Sequence, residues 1–546
     1  MTKLSWTEIS KNKQESLIQL IPEEWRNPSI KEEMINAGFS NTYDYLNTIL
    51  PKEEVEITSL TMLELISKIA NKTFTSLQVA KAYCHRAALA HQILNCCVEI
   101  FFDLAFEDAK RLDEYLAVNG KVAGPLHGIP ISLKDQVDLP GFASSIGYVS
   151  LSEEKKTKMS LMAIKLKEMG AVFYVKTTVP TAMMANETDS NLVGYTYNSK
   201  NINLSSGGSS GGEGSLVGAG ASVMGFGTDI GGSIRFPSAF QGLYALKPST
   251  GRISYMDVTN SYCNQESIPS VIGPMARSLE DVQYITKLLV GSECWDIDPK
   301  VLPVPWKDLS SLKTEKLTIG LWKDDGLLQL HPPVKRAVEE LGEKLKKAGH
   351  EVVVVQFPFQ QKLIQTLFEV YTADAAKEII DECARSGEPI VSSVEDLMIA
   401  TKDKEILSSE EWWNLCGRVY KLKQEFFNYW NVETKKLTKD NKAIDCIVGP
   451  VYSSTAFPRK SRNILNYTGP YNLCDCSCVV LPISKVDASI DKVDDDFQAR
   501  SDDDQFVHDY YDPKLFDKMP ICVQIVTKKL EEEKGLAIAS TIEELL

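Results

Sequence analysis

At 546 residues, with 43% hydrophobic and 24% charged positions, the chain has an ordinary globular composition and the length for one large α/β domain or several smaller ones. A formal charge of −15 argues against nucleic acid and against an anionic membrane surface, both of which need a Lys/Arg-rich face. No run of eighteen apolar residues predicts a membrane span, the N-terminus lacks the apolar core of a signal peptide, and twelve cysteines without framework spacing predict a reduced, cytoplasmic protein.

Residues 1–60 read as an N-terminal helical arm, and residues 61–546 as a single α/β domain. From 76 to 94, Leu77, Ala80, Tyr83, Cys84, Ala87, Ala88, His91 and Leu94 recur at helical spacing, so the pattern predicts an amphipathic helix. The runs "IPISL" (129–133) and "AVFYVK" (171–176) are short, apolar and rich in β-formers, which predicts buried strands. Residues 316–356 hold a complete unit. "KLTIGLW" is a strand, "PPVKRAVEELGEKLKKAGH" is a helix with Pro at its start and Gly near its end, and "EVVVVQF" is a second strand. Such a βαβ crossover implies parallel pairing. "AIDCIVGPV" (443–451), "CVVLPIS" (478–484) and "ICVQIVT" (521–527) add buried strands. The expected fold is α/β: a large mixed, mostly parallel sheet with helices on both faces. The "CDCSC" of 474–478 lacks zinc-knuckle spacing and reads as strand-entry packing. The acidic run 491–505 lacks a calcium-loop layout and reads as a solvated loop.

The stretch that carries chemistry is "SSGGSSGGEGSLVGAGASVMGFGTDIGGSIRFP" (205–237), with eleven glycines between Ser205 and Arg235. A P-loop would need Lys after the glycines, and no ribose-binding acid stands at dinucleotide spacing. Acyl transfer fits better, because it needs a nucleophilic hydroxyl, a base and donors for a developing oxyanion. Ser233 supplies the hydroxyl. The backbone N–H groups of Ile230, Gly231, Gly232 and Ser233 supply candidate donors. None of the six histidines is near Ser233 in sequence, and His127, in "GPLHGIP", reads as structural. A lysine serves as base if burial lowers its pKa, and Lys134 closes the apolar run "IPISL" with Asp135 beside it.

Three segments, "GPLHGIPISLKD", "GGSSGGEGSLVGAG" and "GTDIGGSIRFPSAFQGLYALKPSTGR", in this order, resemble the amidase signature family. The likeness continues through "GPMARSLEDV" to "MPICVQIVTKKLEEEKGLA" and so covers nearly the whole chain beyond about residue 60. The resemblance implies Ser233 as nucleophile, Ser209 as a bridging serine after a cis peptide, and Lys134 as terminal base. It also implies substrate contact at Met183, for which a core role is the rival reading. Thr228, Asp229 and Arg235 would brace the nucleophile loop, and Ser210 would support Ser209. No metal or organic cofactor is implied.

The arm, "SRNILNYTGPYNLCDCS" and the acidic insertion resemble the fungal acetamidase or general amidase branch. That branch releases ammonia from small carboxamides for use as nitrogen. The expectation is therefore a cytoplasmic amidase with a small-molecule amide substrate, without nucleic-acid or membrane partners and compatible with a homodimer. The alternatives are a glutamine-dependent amidotransferase subunit and a fatty-acid-amide-type hydrolase.

Overall fold

The computed structural model describes residues 4–262, 264–309, 316–460 and 462–546. Residues 1–3 of the predicted arm and Ser461 of "SRNILNY" lie outside the described residues. Eleven strands form one sheet: β1 (Cys97–Ile100), β2 (Pro130–Lys134), β3 (Val172–Thr177), β4 (Met224–Asp229), β5 (Tyr244–Lys247), β6 (Val271–Ala276), β7 (Thr318–Leu321), β8 (Glu351–Val354), β9 (Cys446–Pro450), β10 (Ser477–Lys485) and β11 (Pro520–Thr527). Their order across the sheet is β1-β3-β2-β4-β6-β5-β10-β11-β9-β7-β8. Every residue of β2, β3, β4, β6, β9 and β11 is buried, which requires cover on both faces, and helices provide it.

The mixed α/β sheet is as expected, but its parallel share is smaller. Only β2–β3, β2–β4, β7–β8 and β7–β9 pair in parallel; the other six pairings are antiparallel. The βαβ unit legible in the sequence does pair in parallel, with Thr318 opposite Glu351. β10 and β11 are separated by a helix too, yet run antiparallel over nearly their whole length. An apolar run records that a strand is buried on both sides and carries nothing about the direction of its neighbour.

Local signals place the helices well. The predicted 76–94 helix spans Ser76–Leu94, opened by a Thr75/Gln78 capping box and closed by Asn95 in the left-handed conformation. Four α-helices and one 3-10 helix lie within the described residues 4–60. Leu17, Ile21, Ile30, Met34 and Leu46 of this segment share a core cluster with Ala87, Ile93 and Leu94 of the 76–94 helix and with Val172 and Tyr174 of β3. The acidic stretch departs from expectation. Asp491 is buried against Arg336, whose guanidinium donates to both its oxygens (2.7 and 2.8 Å), and Asp504 is buried on Gln329. A buried carboxylate must be hydrogen-bonded or paired, and those partners come from a helix and loop far away in sequence.

Cys474, Cys476 and Cys478 are buried in the main core, as strand-entry packing requires. All eleven described cysteines are free thiols. Among the described residues no helix is long and apolar enough to cross a membrane. The sheet's centre makes a test of packing. Ile525 on β11 is fully buried between Val479 of β10 and Val448 of β9. Ile525→Ala is expected to lose about 2–5 kcal/mol, read as a lower denaturant midpoint with an unchanged slope.

Candidate active site

β2 and β4 lie side by side in parallel, and their ends carry the two side chains of most interest. Lys134 is the last residue of β2 and is completely buried. Its Nζ donates to Ser209 Oγ (2.7 Å) and to Thr228 Oγ1 (2.7 Å). Thr228 in turn donates to Gln136 Oε1 (2.6 Å). No carboxylate stands within ion-pairing distance of Lys134 among the described residues. Burial therefore dominates and pulls its pKa down to about 7, against the raising influence of Asp229, Glu213 and Asp135 farther off. The adjacent Asp135 takes no part in this contact. Side chains alternate along a strand, and its carboxylate instead accepts from Ser145 Oγ (3.0 Å) and Ile146 N–H (2.5 Å), 3.8 Å from Lys176 Nζ.

Ser209 follows a cis Gly208–Ser209 peptide, as the family resemblance implies, and sits just before the helix Gly211–Gly218. The turn fits only small residues. Gly207 has φ +77°, and a Cβ there would lie 2.9 Å from the Pro237 backbone nitrogen. Ser210 ties this turn to the next one. Its N–H donates to the Ser233 carbonyl (3.1 Å), and its Oγ accepts from Thr228 N–H (3.2 Å).

Ser233 lies in the turn that follows β4, organised by a single buried ion pair. Asp229 accepts from the N–H groups of Gly232 (2.9 Å) and Ile234 (3.1 Å), while the Arg235 guanidinium grips both its oxygens at 3.0 Å. Burial alone would push the Asp229 carboxyl up; the guanidinium outweighs it and holds it at about 2. Arg235 is anchored further on Thr468 O, Gln524 Oε1 and Asn472 Oδ1. Two carbonyls of the turn are also engaged: Ile230 O accepts from Tyr371, and Gly231 O from Thr468 Oγ1 (2.6 Å). Gly232 has φ +139°, and a Cβ would collide with the Phe236 ring at 2.5 Å.

One expectation is corrected by this geometry. Gly232 was expected among the oxyanion donors, but its N–H is committed to Asp229. A carboxylate that accepts an N–H at 2.9 Å holds that hydrogen more strongly than a neutral carbonyl would.

A cavity of about 410 Å³ opens over Ser233, with Gly208, Ile230 and Gly231 in its wall. Met183 lines it and also belongs to a buried cluster with Ile379 and Leu397. Its backbone has φ +59°, next to Ala182 at +61°, an uncommon pair for residues with side chains. Phe368, Tyr371, Ile464 and Leu465 form much of the apolar lining, and the Arg462–Asp503 ion pair stands at the edge. The aromatic residues of 450–458 are not in this lining. Tyr452 packs edge-on behind Phe236, with centroids 5.5 Å apart. His127 accepts a hydrogen bond from Ala123 N–H (3.0 Å), closing a loop as the structural reading has it.

Sequence reasoning missed Gln136, Tyr371, Thr468, Asn472 and Gln524. Gln136, two residues beyond Lys134 in the same motif, could have been found by extending the strand alternation. The others come from segments 135 or more residues away in the chain and have no local signature.

The comparisons agree with this architecture. The family model described as Amidase matches residues 78–536. The acetamidase of Emericella nidulans is 38% identical, covering 99% of this chain and 98% of its own. The acetamidase of Aspergillus oryzae is 36% identical over the full length of both. Among solved structures, a fatty acid amide hydrolase superposes with a TM-score of 0.92 at 33% identity, covering 99% of this chain and 95% of its own. A β2 lysine under a serine turn, a second serine held over a cavity and full-length likeness of this kind converge on one conclusion: the chain belongs to the amidase family.

Proposed function

We propose that the protein hydrolyses small carboxamides to carboxylate and ammonia through a Ser233–Ser209–Lys134 relay and an acyl-enzyme. The observation that carries this reading is the 2.7 Å contact between Ser209 Oγ and a buried lysine amine whose pKa burial has lowered to about 7. Near neutrality a substantial fraction of such an amine is unprotonated and accepts a proton. Lys134 takes the proton of Ser209, and Ser209 takes that of Ser233 as its oxygen attacks the amide carbon. The N–H groups of Ile230, Gly231 and Ser233 stabilise the oxyanion, with Gly232 held in place by Asp229. When the tetrahedral intermediate collapses, the proton returns along the same path to the departing nitrogen, which leaves as ammonia. Water then attacks the acyl-enzyme and regenerates Ser233. No step requires a metal or organic cofactor. The names of the relatives support an amide substrate, and their fungal acetamidases support a short acyl group.

Ser233→Ala is expected to abolish turnover, and Lys134→Ala to lose at least ~10²-fold in kcat, with substrate affinity retained in both. Steady-state rates together with binding to folded protein check this; near-native turnover by either variant would remove the relay.

The pH dependence follows from the sign of the lysine shift. Only the neutral amine accepts a proton, so kcat/KM should rise with pH through about 7, where Lys134 loses its proton, and stay high above it. A profile falling through that range contradicts a lysine base.

A second reading, a longer apolar amide, draws on the solved fatty acid amide hydrolase and on a 410 Å³ cavity that exceeds what acetamide needs. Specificity constants for acetamide, longer aliphatic amides, benzamide and a long-chain fatty amide separate the two. An apolar pocket discriminates by only about 1–3 kcal/mol per methylene, so a broad preference among small aliphatic and aromatic amides is expected. A strong preference for the long-chain amide would instead establish the second reading.

A further inference from the structure

One buried acid beside the relay has no part in the steps above. Glu213, on the first turn of the helix that follows Ser209, is fully buried. Three carboxyls act electrostatically on Lys134: Asp229, Glu213 and Asp135. Asp229 has Arg235, and Asp135 has Lys176. Glu213 alone of the three has no cation within ion-pairing distance among the described residues, and its Oε1 has no hydrogen-bond partner. The fold makes room for it: a Cβ on the β4 residue Gly225 would lie 2.1 Å from Glu213 Oε2.

The hydrogen bonds around it decide its protonation by counting. Ser132 Oγ, on β2, lies 2.6 Å from Glu213 Oε2 and 2.9 Å from Ser222 Oγ. Ser222 Oγ lies 2.9 Å from the Met224 carbonyl oxygen, which can only accept, so the one proton of Ser222 goes there. Ser132 is placed to donate to either Glu213 Oε2 or Ser222 Oγ but has one proton, so one of these two contacts lacks a hydrogen unless the carboxyl supplies it. As an acid it donates to Ser132, and the chain Glu213, Ser132, Ser222, Met224 is complete. As a carboxylate it would break the chain at one contact and stand uncompensated in the interior.

We propose that Glu213 is a positioning residue held as a neutral carboxylic acid that donates to Ser132, and that its buried proton leaves Lys134 a free amine. This rests on Lys134 being the base of the relay. An anion at Glu213 would favour the ammonium and withdraw the base; the acid does not. Burial supports the assignment by pushing the Glu213 carboxyl up to about 8, with Ser132, Thr177 and Lys134 opposing. The other titratable groups facing it are Cys96, Cys97 and Tyr174, all buried and none with positive charge; Cys96, raised by burial but lowered overall to about 6 by its contacts with Cys97 and His91, pushes the Glu213 carboxyl further up. The helix N-terminus above it favours an anion, but that is a partial charge set against complete removal from water.

The first measurement uses no turnover, so it stands or falls apart from the relay. Protein labelled with ¹³C at glutamate carboxyls is compared with Glu213→Gln by infrared difference spectroscopy at neutral pH. The C=O stretch of a protonated acid should be present in the wild type and missing from the variant; its absence from the wild type overturns the proposal. Should the variant fail to fold, the same wild-type band must vanish on titration to about pH 10 and shift in Ser132→Ala, which removes its acceptor. A band that does neither does not belong to Glu213 and also overturns it. In kinetics, Gln mimics the neutral acid, so kcat/KM should stay within about threefold of wild type with its acid limb unmoved. An acid limb displaced downward by about one pH unit would mean that an anion had been raising Lys134, and the proposal would fall.

Discussion

A lysine amine at the end of a fully buried strand, with no carboxylate beside it, is the constraint around which the centre of this molecule is arranged. An ammonium in that position would cost several kcal/mol in lost hydration, more than two hydroxyl contacts return. The amine escapes this cost by giving up its proton, which brings its pKa to about 7. Every neighbouring charge must be managed for that outcome to survive. Asp229 is answered by Arg235 and Asp135 by Lys176, which weakens the pull of each toward a proton on Lys134.

The Asp229–Arg235 pair does the complementary work for Ser233. Buried ion pairs contribute little net stability, because desolvation consumes much of the attraction. This pair instead fixes geometry. Two backbone N–H groups converge on the carboxylate, and the guanidinium reaches Thr468, Asn472 and Gln524, so the turn carrying Ser233 is tied to the helix Gly469–Leu473 and to β11. The proposed nucleophile is thus positioned from the far half of the sheet, and the proposed base from the near half. Their relative placement depends on the sheet being continuous between β2 and β11.

Much of this was legible in the chain. Lys134, Ser209 and Ser233 stood out because glycine-rich turns and a lysine ending an apolar run have few structural uses, and the family resemblance ordered them. Ser210, Thr228, Asp229 and Arg235 were readable as bracing for the same reason, since they flank the serines within a few residues. The helix 76–94 and the 316–356 crossover were readable because caps and periodicity are local. Gly232 was misjudged because a glycine's N–H looks equally free whether it faces a cavity or a carboxylate. The parallel share of the sheet was overestimated because strand direction is a property of pairs.

The sequence by itself determined which segments would be buried, where the helices start and stop, and which hydroxyls and amine are proposed to carry the chemistry. Those are consequences of side-chain type and spacing along one stretch of chain. Tertiary structure alone decided what stands next to what. It turned Asp135 away from Lys134 toward Lys176 and brought Tyr371 and Thr468 to the carbonyls of the Ser233 turn. It also brought Phe368 and Leu465 into the wall of the cavity over Ser233. The reason is physical: desolvation and hydrogen bonding act over a few ångströms of space, and the groups they couple here are separated by up to nearly three hundred residues of chain.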